Sequence, residues 1–117
     1  MPRALKPCPA SPNCVSSLAE EDSNHRVPPL SWTGDLTQAK GRLRQAVLAA
    51  GNATFVVEED RYWHIEFRSR LFRFVDDVEF LFEPQARLIH VRSASRVGHS
   101  DLGVNRKRVA KIRSRFQ

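Results

Sequence analysis

A chain of 117 residues with 41% hydrophobic and 27% charged side chains is long enough for one core and too apolar to stay disordered, so a single folded domain is expected. No apolar run approaches the ~18 residues needed to cross a bilayer, and the opening Met1-Pro2-Arg3-Ala4-Leu5-Lys6-Pro7 holds no apolar segment of the kind a secretory leader carries. The formal charge of +6 is uneven: ten Lys/Arg face twelve Asp/Glu over residues 1–86, and nine face one over 87–117, a basic end suited to phosphates, anionic lipid heads or an acidic partner.

Residues 1–32 hold six of the seven prolines and no helical or alternating period, so they read as an extended, irregular N-terminal arm, with residues 33–117 as one α+β domain. Within the arm, Cys8-Pro9-Ala10-Ser11-Pro12-Asn13-Cys14 is a stiff C-x5-C loop. A disulfide and free thiols are both open readings of that pair; a metal site is a third, but two thiolates need further ligands such as His25.

Asp35 to Gly51 reads as the first helix, with Leu36, Ala39, Leu43, Ala46, Val47 and Ala50 on one stripe, Asp35 and Gln38 as a capping box and Gly51 as the stop. Thr54–Glu59 and Tyr62–Ser69 read as strands, the second turning Trp63, Ile65 and Phe67 to the core and His64, Glu66 and Arg68 outward. Asp76–Glu83 and Leu88–Ser95 should form a hairpin through Pro84-Gln85-Ala86-Arg87. Matching their apolar faces sets Phe82 opposite Ile89, Phe80 opposite Val91, Val78 opposite Ser93 and Asp76 opposite Ser95, with Glu79 and Arg92 paired on the outer face. The last helix runs from Leu102 or Asn105 to Phe116 and shows Leu102, Val109, Ile112 and Phe116 to the core. The resulting fold class is α+β: a four-stranded antiparallel sheet, two helices packed on one face in the order α-β-β-β-β-α, and the arm wrapped outside.

The hairpin register turns Asp76 inward, where an unpaired carboxylate costs several kcal/mol. Ser93, Ser95, Arg96 and the amides of the next turn are its nearest candidate partners. The corner from Arg92 to Arg108 therefore becomes the candidate ligand-binding site: Asp76, Ser93, Ser95, Arg96, Gly98, His99, Ser100, Asp101, Asn105 and Arg106. Arg106, Lys107 and Arg108 oppose the dipole of the helix they open, so they either lean on acids such as Asp76, Asp77 and Asp101 or meet an external anion. Asp101, however, sits where such an anion would sit and suits the helix as its own cap.

Three stretches carry a family resemblance: Cys8-Pro9 to Pro12-Asn13-Cys14-Val15-Ser16-Ser17, then Phe74-Val75-Asp76-Asp77-Val78-Glu79, then Arg92-Ser93-Ala94-Ser95-Arg96-Val97-Gly98 with Ser100-Asp101-Leu102-Gly103 and Asn105-Arg106. On these, nearly the whole chain resembles the uncharacterised family called domain of unknown function 1499. The resemblance implies no established activity. It implies a membrane or export leader ahead of the arm in many members, and with it an oxidised Cys8–Cys14 pair; this chain shows no leader and reads as cytoplasmic by default, periplasmic or membrane-associated where a leader has been removed.

The first expectation is a non-catalytic module that binds an anionic small molecule or an acidic partner at the corner, with no cofactor. A hydrolase-like enzyme, with Asp76 or Asp101 as base to His99 or a serine, is the alternative from another class, though no nucleophile elbow, metal motif or phosphate loop is present. Nucleic-acid binding through the basic last helix is a third, without interleaved aromatics to support it. A metal set of His64, Glu66 and His90 on the outer sheet face is geometrically conceivable and less favoured than any of these.

Overall fold

The computed structural model describes residues 4–19, 22, 24–69, 74–98 and 100–117. The elements, in chain order, are β1 (Cys14–Ser16), β2 (Leu30–Ser31), α1 (Leu36–Ala50), β3 (Ala53–Glu58), β4 (Tyr62–Arg68), β5 (Val75–Glu83), β6 (Leu88–Ser95) and α2 (Val104–Phe116). The architecture is α+β, with an antiparallel sheet and two helices, but the sheet has six strands and not four.

The strands run in the order β1-β6-β5-β4-β3, with β2 beside β6 as well. Both extra strands come from the stretch expected to be an irregular arm. They are three and two residues long, and β1 is buried on both faces, so neither shows the period-two alternation that marks a strand. Pairings such as Val15 with Ser93 and Leu30 with Ile89 seal the edge of β6 that would otherwise be open. Val15, Val27, Leu30 and Trp32 belong to the same buried core as the helices. A disulfide links Cys8 to Cys14, the first residue of β1.

The β5–β6 hairpin has the register that the apolar pattern demands, including Asp76 opposite Ser95 and Glu79 opposite Arg92. Glu79 and Arg92 form the expected outer-face pair, at 3.6 Å. Trp63, Ile65, Phe67, Val78, Phe80, Phe82, Ile89 and Val91 face the helices, whose Ala39, Leu43, Val47, Val109, Ile112 and Phe116 close the core. Asp35 caps α1 by accepting from the Gln38 amide at 2.7 Å.

Leu102 does not join the core: α2 begins two residues later, and Leu102 is 85% exposed in a left-handed turn. Its expected place on the buried face is taken by Asn105. On the opposite face of the sheet the first described residues cross near Tyr62, Glu79 and Arg92, with Leu5 buried and the Pro7 carbonyl accepting from Arg92 at 3.5 Å.

His25 is buried in the arm between two acceptors, the Asp22 carboxylate and, at 2.9 Å, the Ser11 carbonyl. The Asp22 bond foremost, then the Ser11 carbonyl, raise the imidazole above its ordinary value of 6.5, against the opposing effect of burial. A group with a raised folded pKa stabilises fully below its unfolded value and loses that stabilisation as pH rises through the folded one. The stability advantage of the wild type over His25→Gln is therefore expected to shrink in urea titrations as pH rises over the range above the ordinary imidazole value of 6.5. An advantage that grew over that window would contradict the imidazolium assignment.

Candidate functional site

Alternation along β6 sends the corner's side chains to two faces. Ser93 and Ser95 point inward with Asp76; Arg96 lies outward with Arg92. The inward half is a closed polar knot. Asp76, only 7% exposed, meets Arg108 at 2.8 Å, and the Arg108 guanidinium lies over the Phe67 ring at 4.9 Å. Phe67 is the cross-strand neighbour of Asp76, so one side chain covers the ring and neutralises the carboxylate beside it. Arg108 thus fills the role for which Ser93, Ser95 and Arg96 were the sequence-based candidates.

At the centre of the knot stands Asn105, fully buried on the first turn of α2. Its Oδ1 accepts from Ser93 at 2.6 Å and from Arg108 at 2.8 Å. Its Nδ2 donates to Asp101 at 2.7 Å, to Ser95 at 2.9 Å and to the Asn13 carbonyl at 3.2 Å. Asn13 in turn donates to the Gly98 carbonyl at 2.7 Å. Three separate pieces of chain, the arm, β6 and α2, therefore converge on one amide.

Asp101 accepts from the amides of Gly103 at 2.8 Å and Asn105 at 3.1 Å. It thereby fills, with the chain's own carboxylate, the position an external anion would take at the start of α2. Burial alone would raise its pKa, but the Asn105 side chain and the two amides together hold it below the ordinary carboxylate value. Ser100 is exposed and accepts from the Leu102 amide at 3.3 Å. Gly98 turns the chain at a φ of 85°, in the region that favours glycine. His99 lies outside the described residues.

The outward half forms a second cluster that the sequence pattern did not single out as a unit. Glu66 stands directly opposite Asp77 in the β4–β5 ladder, a like-charge pair that is unfavourable unless neutralised. Arg96 neutralises it, reaching Asp77 with two nitrogens at 2.7 and 2.8 Å and Glu66 at 2.7 Å. His64 meets the same Asp77 at 2.7 Å. The Arg96 bond foremost, with His64 adding to it against burial, holds Asp77 below the usual carboxylate range. His64, Glu66 and Asp77 also offer ligand atoms within 4.8 Å of one another, while the guanidinium on both carboxylates opposes a cation there. His90 does not join them; it pairs with Glu83 at 2.9 Å.

The remaining cations of α2 sort by what they touch. Arg106 donates to the Asn24 and Arg26 carbonyls at 2.9 and 2.8 Å, and Arg113 to those of Pro28 and Pro29, so both fasten the arm. Burial pushes the Arg113 pKa down. Among the described residues, no hydrogen bond or ion pair engages the side chains of Lys107, Lys111 or Arg115, and all three are exposed. Neither helix contains an Asp or Glu.

A two-layer α+β domain whose last helix is riveted to the sheet by a buried Asp–Arg–Asn knot is the class these features define. The model of a family described as "Protein of unknown function (DUF1499)" matches residues 4–116, and the chain belongs to that family. No curated protein matches the chain. No helix is long and apolar enough to cross a membrane among the described residues.

Proposed function

We propose that the protein is a non-catalytic binding module that takes an anionic small molecule or an acidic partner, and that the contact is made by the α2 side of the corner. The observation that carries this reading is the division of charge in α2: three of its six cations are spent on the fold, and Lys107, Lys111 and Arg115 are left to solvent with no acid on either helix. A surface of one sign attracts opposite charge over a distance and accelerates encounter.

The saturation of the knot argues against the hydrolase-like alternative. Asp76 is committed to Arg108, Asp101 to two amides and Asn105, and Ser93 to the Asn105 carbonyl oxygen. A base needs a free lone pair within reach of substrate and a nucleophilic serine must give its proton to a base, whereas Asp76 and Asp101 are held by donors of the fold and Ser93 gives its proton to an amide oxygen. In this reading Asp76, Ser93, Ser95 and Asn105 hold α2 in place, and Arg106 ties it to the arm.

Inorganic polyphosphate provides the test. Binding is expected to weaken with added salt, and Lys107→Glu/Lys111→Glu/Arg115→Glu should lose it while retaining the wild-type melting temperature. Equal binding by the triple variant would refute the assignment of this flank.

A further inference from the structure

We infer that the anionic partner is a phospholipid bilayer bearing acidic headgroups, met by the flank of α2 together with the turn that feeds it; this rests on the binding-module reading above. The stretch leading into α2 leaves apolar side chains in solvent: Leu102 is 85% exposed, Val97 60% and Val104 45%. Leu102 also holds a φ of 55°, a left-handed backbone that is unfavourable for an L side chain and natural for glycine. The next residue, Gly103, has a φ of 80° without that penalty. A leucine at this place makes the turn harder to form and adds nothing to the core, so its apolar side chain calls for a use outside the fold.

Val104, two residues after Leu102, shares one side of α2 with the exposed cations. At about 100° per residue, Val104, Lys107, Lys111 and Arg115 fall within roughly 80° of arc. Lys and Arg stems lie along apolar surface while their charged ends reach phosphate. A bilayer offers both chemistries in the right order, with anionic phosphates at the surface and hydrocarbon about 5–10 Å deeper. A soluble polyanion would engage the three cations and leave Leu102, Val97 and Val104 in water. Neither helix carries a carboxylate to repel an acidic leaflet, and Asp101 in the turn spends its charge on the Gly103 and Asn105 amides and the Asn105 side chain.

Co-sedimentation distinguishes this proposal from the reading beneath it, using vesicles of phosphatidylcholine with phosphatidylglycerol, vesicles of phosphatidylcholine alone, and inorganic polyphosphate. Wild type is expected on the mixed vesicles and not on phosphatidylcholine alone. Lys111→Glu/Arg115→Glu should weaken mixed-vesicle binding by about tenfold or more and weaken polyphosphate binding as well. Leu102→Gly should weaken vesicle binding by about tenfold while leaving polyphosphate binding unchanged and the melting temperature undiminished, because glycine suits the turn. If the cations govern polyphosphate binding but Leu102→Gly equals wild type on mixed vesicles, the bilayer is wrong and the binding module stands. Equal binding to phosphatidylcholine alone also overturns the bilayer proposal. Failure of the charge-reversed variant to alter binding to either probe, or no binding to either, removes both.

Discussion

Asp76→Ala is expected to destabilise the protein by about 3–5 kcal/mol, because it leaves the Arg108 guanidinium largely buried without its counter-charge. The two side chains are only 11% and 14% exposed, so solvent screening offers little relief. Removing both charges is a different experiment. Asp76→Leu/Arg108→Met replaces a desolvated pair with apolar groups over Phe67 and should recover most of the loss, within about 1–2 kcal/mol of wild type. Urea denaturation of the two single variants and the double variant, read as a thermodynamic cycle, measures the coupling. A single-variant cost under about 1 kcal/mol would mean that the pair is wetter than its geometry indicates.

Asn105→Ala should cost about 3 kcal/mol or more, since it strands Ser93, Ser95 and part of Arg108 and Asp101 at once. Asn105→Asp is the sharper variant. It preserves the shape, but a carboxylate cannot donate to Asp101 or Ser95, and it brings a second negative charge within hydrogen-bonding reach of Asp101. It is expected to be at least as damaging as alanine in thermal melts, and protection of α2 amides against hydrogen exchange should fall with it. An Asn105→Asp variant as stable as wild type would show that packing, and not the donated hydrogen bonds, holds α2 down.

Much of the frame is legible in the sequence because it follows from periods and end signals. Alternation in β5 and β6 gives the register of that hairpin to the residue, and with it the inward turn of Asp76. The Asp35 side chain marks the start of α1 correctly. The arm is harder: β1 and β2 owe their extended conformation to partners near the far end of the chain, and Pro28 and Pro29 argue locally for a loop. The partner of Asp76 depends on the rotation of α2 about its axis, which Leu102 misleads and Asn105 determines. Had Asn105 been placed on the buried stripe, Arg108, one turn further on, would have followed. The outward fate of Arg96 was available from parity, since it shares a face with Arg92, but reading the corner as one unit concealed that division.

The pairing of β1 and β2 with β6 has a consequence for how the chain is made. The segment that forms β1 and β2 finds its hydrogen-bonding partner only after residue 95 has been made, and Asn13 meets its amide donor only with residue 105. Until then that backbone has no sheet edge to join, so these two pairings can form only after β6. Topologies of this kind fold slowly for their size because distant segments must find each other before the contacts reward them. Loss of the stretch that holds β1 and β2 would expose the raw edge of β6, so that stretch guards the sheet against edge-to-edge pairing as well as adding to the core.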